Sequence, residues 1–98
     1  MIRHIVLFGF HQESKPGEIE TLIADFDRLP ELIPGILVYE RGLNTSPEDH
    51  HQGYTHCFQL SFPDESARDA YLVHPAHLEF GETHGRHFKS VCVFDYRL

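Results

Sequence analysis

Cysteine is scarce in this chain: Cys57 and Cys92 are the only two among 98 residues. That is too few for a small scaffold stapled by disulfides. Basic residues are also few, with 8 Lys and Arg against 15 Asp and Glu and a net charge of -7. Binding to nucleic acid rests on Lys and Arg neutralising phosphates, and an anionic membrane surface attracts the same residues. Neither partner is expected. No apolar run approaches the roughly 20 residues that cross a bilayer. A Gly-rich phosphate loop, a G-x-S-x-G elbow and internal repeats are all missing. The chain opens on Met1-Ile2-Arg3-His4 and passes straight into alternating sequence. No secretory leader is therefore expected, and the protein is read as cytoplasmic.

What is present fits one globular domain over residues 1–98, with 41% hydrophobic and 23% charged residues. Nine histidines are the compositional oddity. Protonating all of them would carry the net charge from negative to positive, so mild acid is expected to perturb the protein.

Residues 2–10 alternate, with Ile2, His4, Val6, Phe8 and Phe10 on one face and Arg3, Ile5, Leu7 and Gly9 on the other. Both faces are largely apolar, so both need cover. Ile19, Leu22, Ile23, Phe26 and Leu29 follow a helical spacing, which predicts a helix over 17–29 that stops at Pro30. Ile33-Pro34-Gly35 reads as a turn and 36–43 as a strand. Residues 44–53 are polar or turn-forming, and form the longest loop. A strand is predicted over 54–62, with Tyr54, His56, Phe58, Leu60 and Phe62 on one face. Asp64 suits the N-cap of a helix over 65–73. His74-Pro75 breaks that helix and opens a second segment through His77, Leu78 and Phe80. Residues 89–96 form the last strand.

The order βαββαβ predicts an α+β, ferredoxin-like fold. Its four-stranded antiparallel sheet has spatial order 4-1-3-2, with both helices on one face. The other face is apolar on the central first strand and has no layer left in the chain. A second copy packing sheet on sheet is expected to supply it, giving a homodimer. In this layout Cys57 and Cys92 flank the first strand, roughly 10 Å apart. A disulfide needs Cα atoms within about 7 Å, so both are expected to be free thiols.

The layer between sheet and helices holds His4, Val6, Phe8, His56 and Phe58 from the strands and Leu22, Ile23 and Phe26 from the first helix. Two imidazoles in such a layer are either hydrogen-bonded core residues or polar groups aimed into a ligand cavity. Tyr71 and His77 come from either side of the His74-Pro75 break, which can turn both toward one spot. In the first turn of a helix His77 would stay neutral and serve as a general base, while Tyr71 donates to an oxyanion. The pairs His74-x-x-His77 and His84-x-x-His87 raise a metal alternative. No acidic residue or Cys joins them in a known zinc spacing, so no metal site is assigned.

Several stretches together resemble one family, the dimeric α/β barrel or stress-responsive A/B barrel (Dabb) proteins. They are Ile2-Arg3-His4-Ile5-Val6-Leu7-Phe8, Ile33-Pro34-Gly35, Gly53-Tyr54-Thr55-His56, Tyr71-Leu72-Val73-His74-Pro75-Ala76-His77 and Val93-Phe94-Asp95-Tyr96. The resemblance, which extends to a polyketide cyclase within the family, implies a ferredoxin-like protomer paired with its twin. It implies Tyr71 and His77 as catalytic residues of an aldol-type cyclisation of a small keto compound, with no cofactor. It also implies His4, Val6, Phe8, Leu22, Ile23, Phe26, His56, Phe58 and Phe88 as the residues around a small apolar or aromatic ligand. The alternative is a non-catalytic barrel that binds a small molecule or acts structurally in a stress response. Packing of Phe8, Phe58 and Phe88 decides how much room such a ligand has. Buried neutral His4 and His56 would also make stability fall as pH drops below about 6.5.

Overall fold

A computed structural model describes residues 1–98. The elements are β1 (Ile2–Phe10), α1 (Pro16–Leu32), β2 (Val38–Leu43), β3 (His56–Phe62), α2 (Glu65–Val73), α3 (Pro75–His84), a 3-10 turn (Gly85–His87) and β4 (Phe88–Arg97). The sheet is antiparallel in the order β2-β3-β1-β4. This is the predicted ferredoxin-like arrangement, with β1 and β3 in the middle.

The alternation along β1 decides what the sheet buries. Ile2, His4, Val6 and Phe8 face the helices and are each no more than 7% exposed. They pack with Leu22, Phe26 and Leu29 of α1, with Phe58, Leu60 and Phe62 of β3, and with Tyr71 and Phe80. On the opposite face Ile5 and Leu7 are only half-buried, and Phe94, the β4 partner of Ile5, is 62% exposed. The molecule measures 35 × 30 × 16 Å, so its short dimension is two layers thick. Leu7 pairs with Cys57 on one side and Cys92 on the other. Both thiols are free, as β1 between them requires.

Three boundaries differ from expectation by two residues or more. Helix α1 does not stop at Pro30 but continues to Leu32. Proline at that point forfeits one hydrogen bond in the last turn, yet Leu29 and Ile33 are each 2% exposed. Their burial keeps the turn closed, and the Ile33 amide donates to the Leu29 carbonyl at 2.9 Å. Strand β2 begins at Val38 rather than residue 36, because the turn through Gly35 (φ +97°) delivers the chain late to the ladder. Strand β3 begins at His56 rather than Tyr54. There the Thr55 amide bonds across to the Phe8 carbonyl at 3.0 Å, and its own carbonyl closes the long loop on the Asn44 amide at 2.9 Å.

Asp64 caps α2 by accepting from the Ala67 amide at 2.9 Å. His74 ends α2 in an extended conformation (φ -64°, ψ 138°), as a residue before proline does. Its ring Nδ1 then accepts from the Ala76 amide at 3.0 Å, so the same residue caps α3.

Candidate functional site

The break at His74-Pro75 turns the chain so that Tyr71, in the last turn of α2, meets His77, in the first turn of α3. Their ring centroids are 4.6 Å apart. Tyr71 is 1% exposed, and burial pushes its phenol well above the usual tyrosine range, so the hydroxyl keeps its proton. The Nδ1–H of His77 donates to the Leu72 carbonyl at 2.9 Å, a bond that fixes the tautomer and leaves a lone pair on Nε2. Burial holds the His77 imidazolium below its ordinary value, against the opposing pull of that carbonyl, and the nearby His4 adds to the depression. A neutral acceptor and a protonated donor thus stand side by side.

His4 completes this cluster from β1. Its ring lies edge-on to Tyr71 at 5.8 Å, and Phe62 packs against both. His4 Nδ1 is 2.7 Å from Asp95 Oδ1 on β4, its partner in the strand register. Arg68 of α2 donates to the other Asp95 oxygen at 2.8 Å. Asp95 and Arg68 were not singled out from the sequence as site residues. The signal for Asp95 was its place opposite His4 once β1 and β4 are paired.

The other candidates lie elsewhere along the layer. Phe8 is four residues beyond His4, about 13 Å along the strand. It stacks on Phe88 at 4.2 Å, and Phe58 sits 5.5 Å from it. Phe26 stacks on Phe58 at 4.2 Å. Val6 and Leu22 belong to the buried core that joins the two regions, and Ile23 is packed against it. His56 lies edge-on to Phe10 at 5.0 Å, with Thr55 Oγ1 2.7 Å from its Nδ1. Burial, then the charge of Arg41, hold its imidazolium down. The structure therefore brings Tyr71, His77 and His4 together and gathers Phe8, His56, Phe58 and Phe88 at the other end of β1.

A cavity of about 500 Å³ opens at that second end, between α1 and the β2–β3 edge. Ile19 and Ile23 of α1, Leu43 of β2 and His56 and Phe58 of β3 line it, and Arg41 reaches into the same lining. Arg41 is held by Asp27 through its Nε at 2.7 Å and Nη2 at 2.9 Å. Tyr39 donates to the same carboxylate at 2.7 Å. Arg41 and Tyr39 hold the Asp27 carboxyl below its usual range despite partial burial. Sequence reasoning missed this trio, because Asp27 sits on α1 and its partners sit on a strand that is nearly all exposed.

Of the remaining histidines, His51, His74, His84 and His87 have hydrogen-bond partners. His84, at the end of α3, lies 2.7 Å from Asp25 of α1, and His87 lies 2.7 Å from Ser14 in the segment before α1. His74 is a cap and His77 a helical residue, so that pair does not share one helix face. No three His, Cys, Asp or Glu side chains converge in a metal-holding group. No helix is long and apolar enough to cross a membrane.

Residues 2–98 match the family model for Dabb, the stress responsive A/B barrel domain. The chain belongs to this family. Among relatives, it is 35% identical over 96 residues to the stress-response A/B barrel domain-containing protein HS1 of Arabidopsis thaliana, covering 98% of this chain and 88% of that one. It is 24% identical over 95 residues to olivetolic acid cyclase of Cannabis sativa, covering 97% and 94%. Among solved structures, hydroxynitrile lyase from Passiflora edulis superposes with a TM-score of 0.90 at 25% identity, covering 97% of this chain and 90% of that one. A dimeric ferredoxin-like protein from Jannaschia gives a TM-score of 0.85 at 27% identity, covering 99% and 98%. The Dabb chain thus shares its fold with proteins named for stress responses and with two named enzymes.

Proposed function

We propose that this Dabb protein is one half of a homodimeric barrel that carries out acid–base chemistry on a small keto compound of polyketide type, with Tyr71 and His77 as the catalytic pair. The observation that carries this reading is their contact at 4.6 Å, with His77 Nδ1 committed to the Leu72 carbonyl. His77 Nε2 takes a proton from the carbon next to a carbonyl. The Tyr71 hydroxyl donates to the oxygen on which negative charge gathers. The carbanion then attacks a second carbonyl of the same molecule, and the proton on His77 passes to the alkoxide so formed. All atoms stay within the substrate until water leaves, and no cofactor takes part. His4, oriented by Asp95, faces the pair and is placed to bind the substrate. Two relatives named as a cyclase and a lyase support an active family member.

The dimer rests on the open sheet face. Ile5, Leu7 and Phe94 have no cover within the chain, and structural relatives are dimeric. Light scattering should give twice the 11.4 kDa of one chain.

The test of the chemistry is turnover of a poly-β-keto substrate. His77→Ala and Tyr71→Phe should each lose about 100-fold or more in kcat. Rates equal to wild type would remove the pair from any mechanism. A second reading, a non-catalytic small-molecule-binding or structural barrel, is favoured by one observation. Phe26 on Phe58, and Phe8 on Phe88 at the far end of β1, fill much of the layer with stacked rings. That reading predicts no turnover of any keto substrate and a folded, dimeric protein.

A further inference from the structure

We infer that Arg68 is a positioning residue for the Tyr71–His77 pair: it answers the charge of Asp95, so that Asp95 orients His4 without drawing a second proton onto it, and His77 is left free to take one. This deepens the proposal above and rests on its choice of catalytic pair. It adds a residue outside the pair that sets how readily the pair exchanges protons.

Three elements build the relay. Asp95 stands opposite His4 in the β1–β4 register, and its Oδ1 lies 2.7 Å from His4 Nδ1. An ionised carboxylate only accepts, so Nδ1 carries the ring proton and Nε2 keeps a lone pair. Arg68 and Tyr71 are three residues apart on α2 and share one side of that helix. Tyr71 meets His4 with ring centroids 5.8 Å apart, while Arg68 Nη1 donates to Asp95 Oδ2 at 2.8 Å. Each oxygen of the carboxylate thus has one donor. His4 itself is 3% exposed, so a charge there has little water to solvate it.

The groups around His4 show why the guanidinium matters. Asp95 on β4 is the acid bonded to it, and a carboxylate in that place favours an imidazolium. From α2 come Arg68 and the phenol of Tyr71, and from α3 comes His77, while the β3 partner of His4 is the apolar Leu60. At the end of β4, Arg97 pairs with Glu65. Arg68 also holds Asp69 through its Nε at 2.8 Å, but that carboxylate is 66% exposed and water screens it. Asp95 is 22% exposed, so the bond from Arg68 to Asp95 acts in the drier place. Without the guanidinium, Asp95 would stand unanswered beside His4. The effect passes on to His77, whose imidazolium is held down first by burial and further by any charge on His4.

The experiment is proton NMR of the full chain, following the ring C2–H signals of His4 and His77 as pH is lowered from about 8.5 to 5, across the imidazole range. Arg68→Gln keeps a donor for Asp95 and loses the charge, whereas Arg68→Lys keeps the charge. Both replacements are good helix formers at a side chain that is 20% exposed, so α2 persists in each. In Arg68→Gln the His4 midpoint should rise by about half a pH unit or more, and the His77 midpoint should fall. Arg68→Lys should leave both at their wild-type positions. A side chain that only packs would move neither midpoint, or would move both in the same way in the two variants. Either pattern, or a His4 midpoint that falls in Arg68→Gln, would overturn the inference. The two proposals fail separately. The expected opposite shifts, with no turnover of any keto substrate, leave the relay standing and remove the chemistry. Turnover that depends on His77, with both midpoints unmoved in Arg68→Gln, does the reverse.

Discussion

Gly9 on β1 is the point where the sheet meets the long loop, and adding one methyl there tests that junction. A Cβ on Gly9 would lie 2.6 Å from the Gly53 carbonyl oxygen and 2.6 Å from Ser90 Oγ. Both are about 1 Å inside ordinary contact distance. The serine can rotate away. The Gly53 carbonyl cannot, because the loop around it is fixed on several sides. Gly53 itself has φ +83° and Gln52 has φ +52°. The Gly53 amide donates to His51 Nδ1 at 2.9 Å, and the Thr55 amide is held on the Phe8 carbonyl at 3.0 Å. Gly9→Ala must therefore lift the loop or bend β1. Overpacking of this kind costs about 1–3 kcal/mol. In a domain of this size each kcal/mol moves Tm by roughly 4–8 °C. The control is Gly81→Ala, in the middle of α3 with no atom within 4 Å of a new Cβ. It should stabilise by about 0.5–1 kcal/mol through helix propensity. Urea unfolding of both variants gives the comparison. A Gly9→Ala variant within about 0.5 kcal/mol of wild type would show that the loop yields freely and that no close junction exists.

Burial holds His56 and His77 below the ordinary imidazole value, so the unfolded chain binds protons that the folded one refuses. Stability should be full above about pH 6.5 and fall as pH drops from there toward the folded values. Melting at pH 7.5, 6.5 and 5.5 should show the fall, and a His56→Gln, His77→Gln double variant should flatten it. Phe94→Glu places a charge on the open sheet face, where the wild-type ring is 62% exposed. It should convert the dimer to a folded monomer by light scattering with unchanged circular dichroism, and a dimer that survives it would put the interface elsewhere. Asp95→Asn removes the carboxylate that His4 and Arg68 share. A loss of about 1–3 kcal/mol is expected in urea unfolding, since bonds to a charged group are broken in a partly buried place. A loss below that range would mean that His4 keeps its orientation without Asp95.

The fold was legible wherever one periodicity ran unopposed. Alternation over Ile2 to Phe10 and the proline after His74 each allowed one structure, and both elements lie where they were placed. Pro30 misled because helix termination is decided by what the last turn buries, and Leu29 and Ile33 are buried by residues distant in sequence. The Tyr71–His77 contact was foreseeable because both residues flank one local break, so short-range backbone rules were enough to bring them together. Asp95 and Arg41 were hidden for the opposite reason. Each draws its meaning from a partner on another element: His4 is 91 residues from Asp95, and Asp27 is 14 from Arg41. Charged residues on strands that look exposed carry no periodic mark, so only the register assigns them a face. The same register explains why one chamber was expected and two regions are seen. His4 and Phe8 share a face, and alternation reports the face without reporting distance along it. A helix–sheet layer only one side chain deep has room for a ligand where the rings part, and a cavity opens beyond the stacked Phe26 and Phe58, between α1 and the β2–β3 edge. A substrate that enters by that cavity and reaches His77 must therefore displace Phe26 or Phe58. Replacing Phe26 with Leu should accordingly speed entry of long substrates and leave short ones unchanged, a difference that the ratio of kcat/KM for the two lengths would measure.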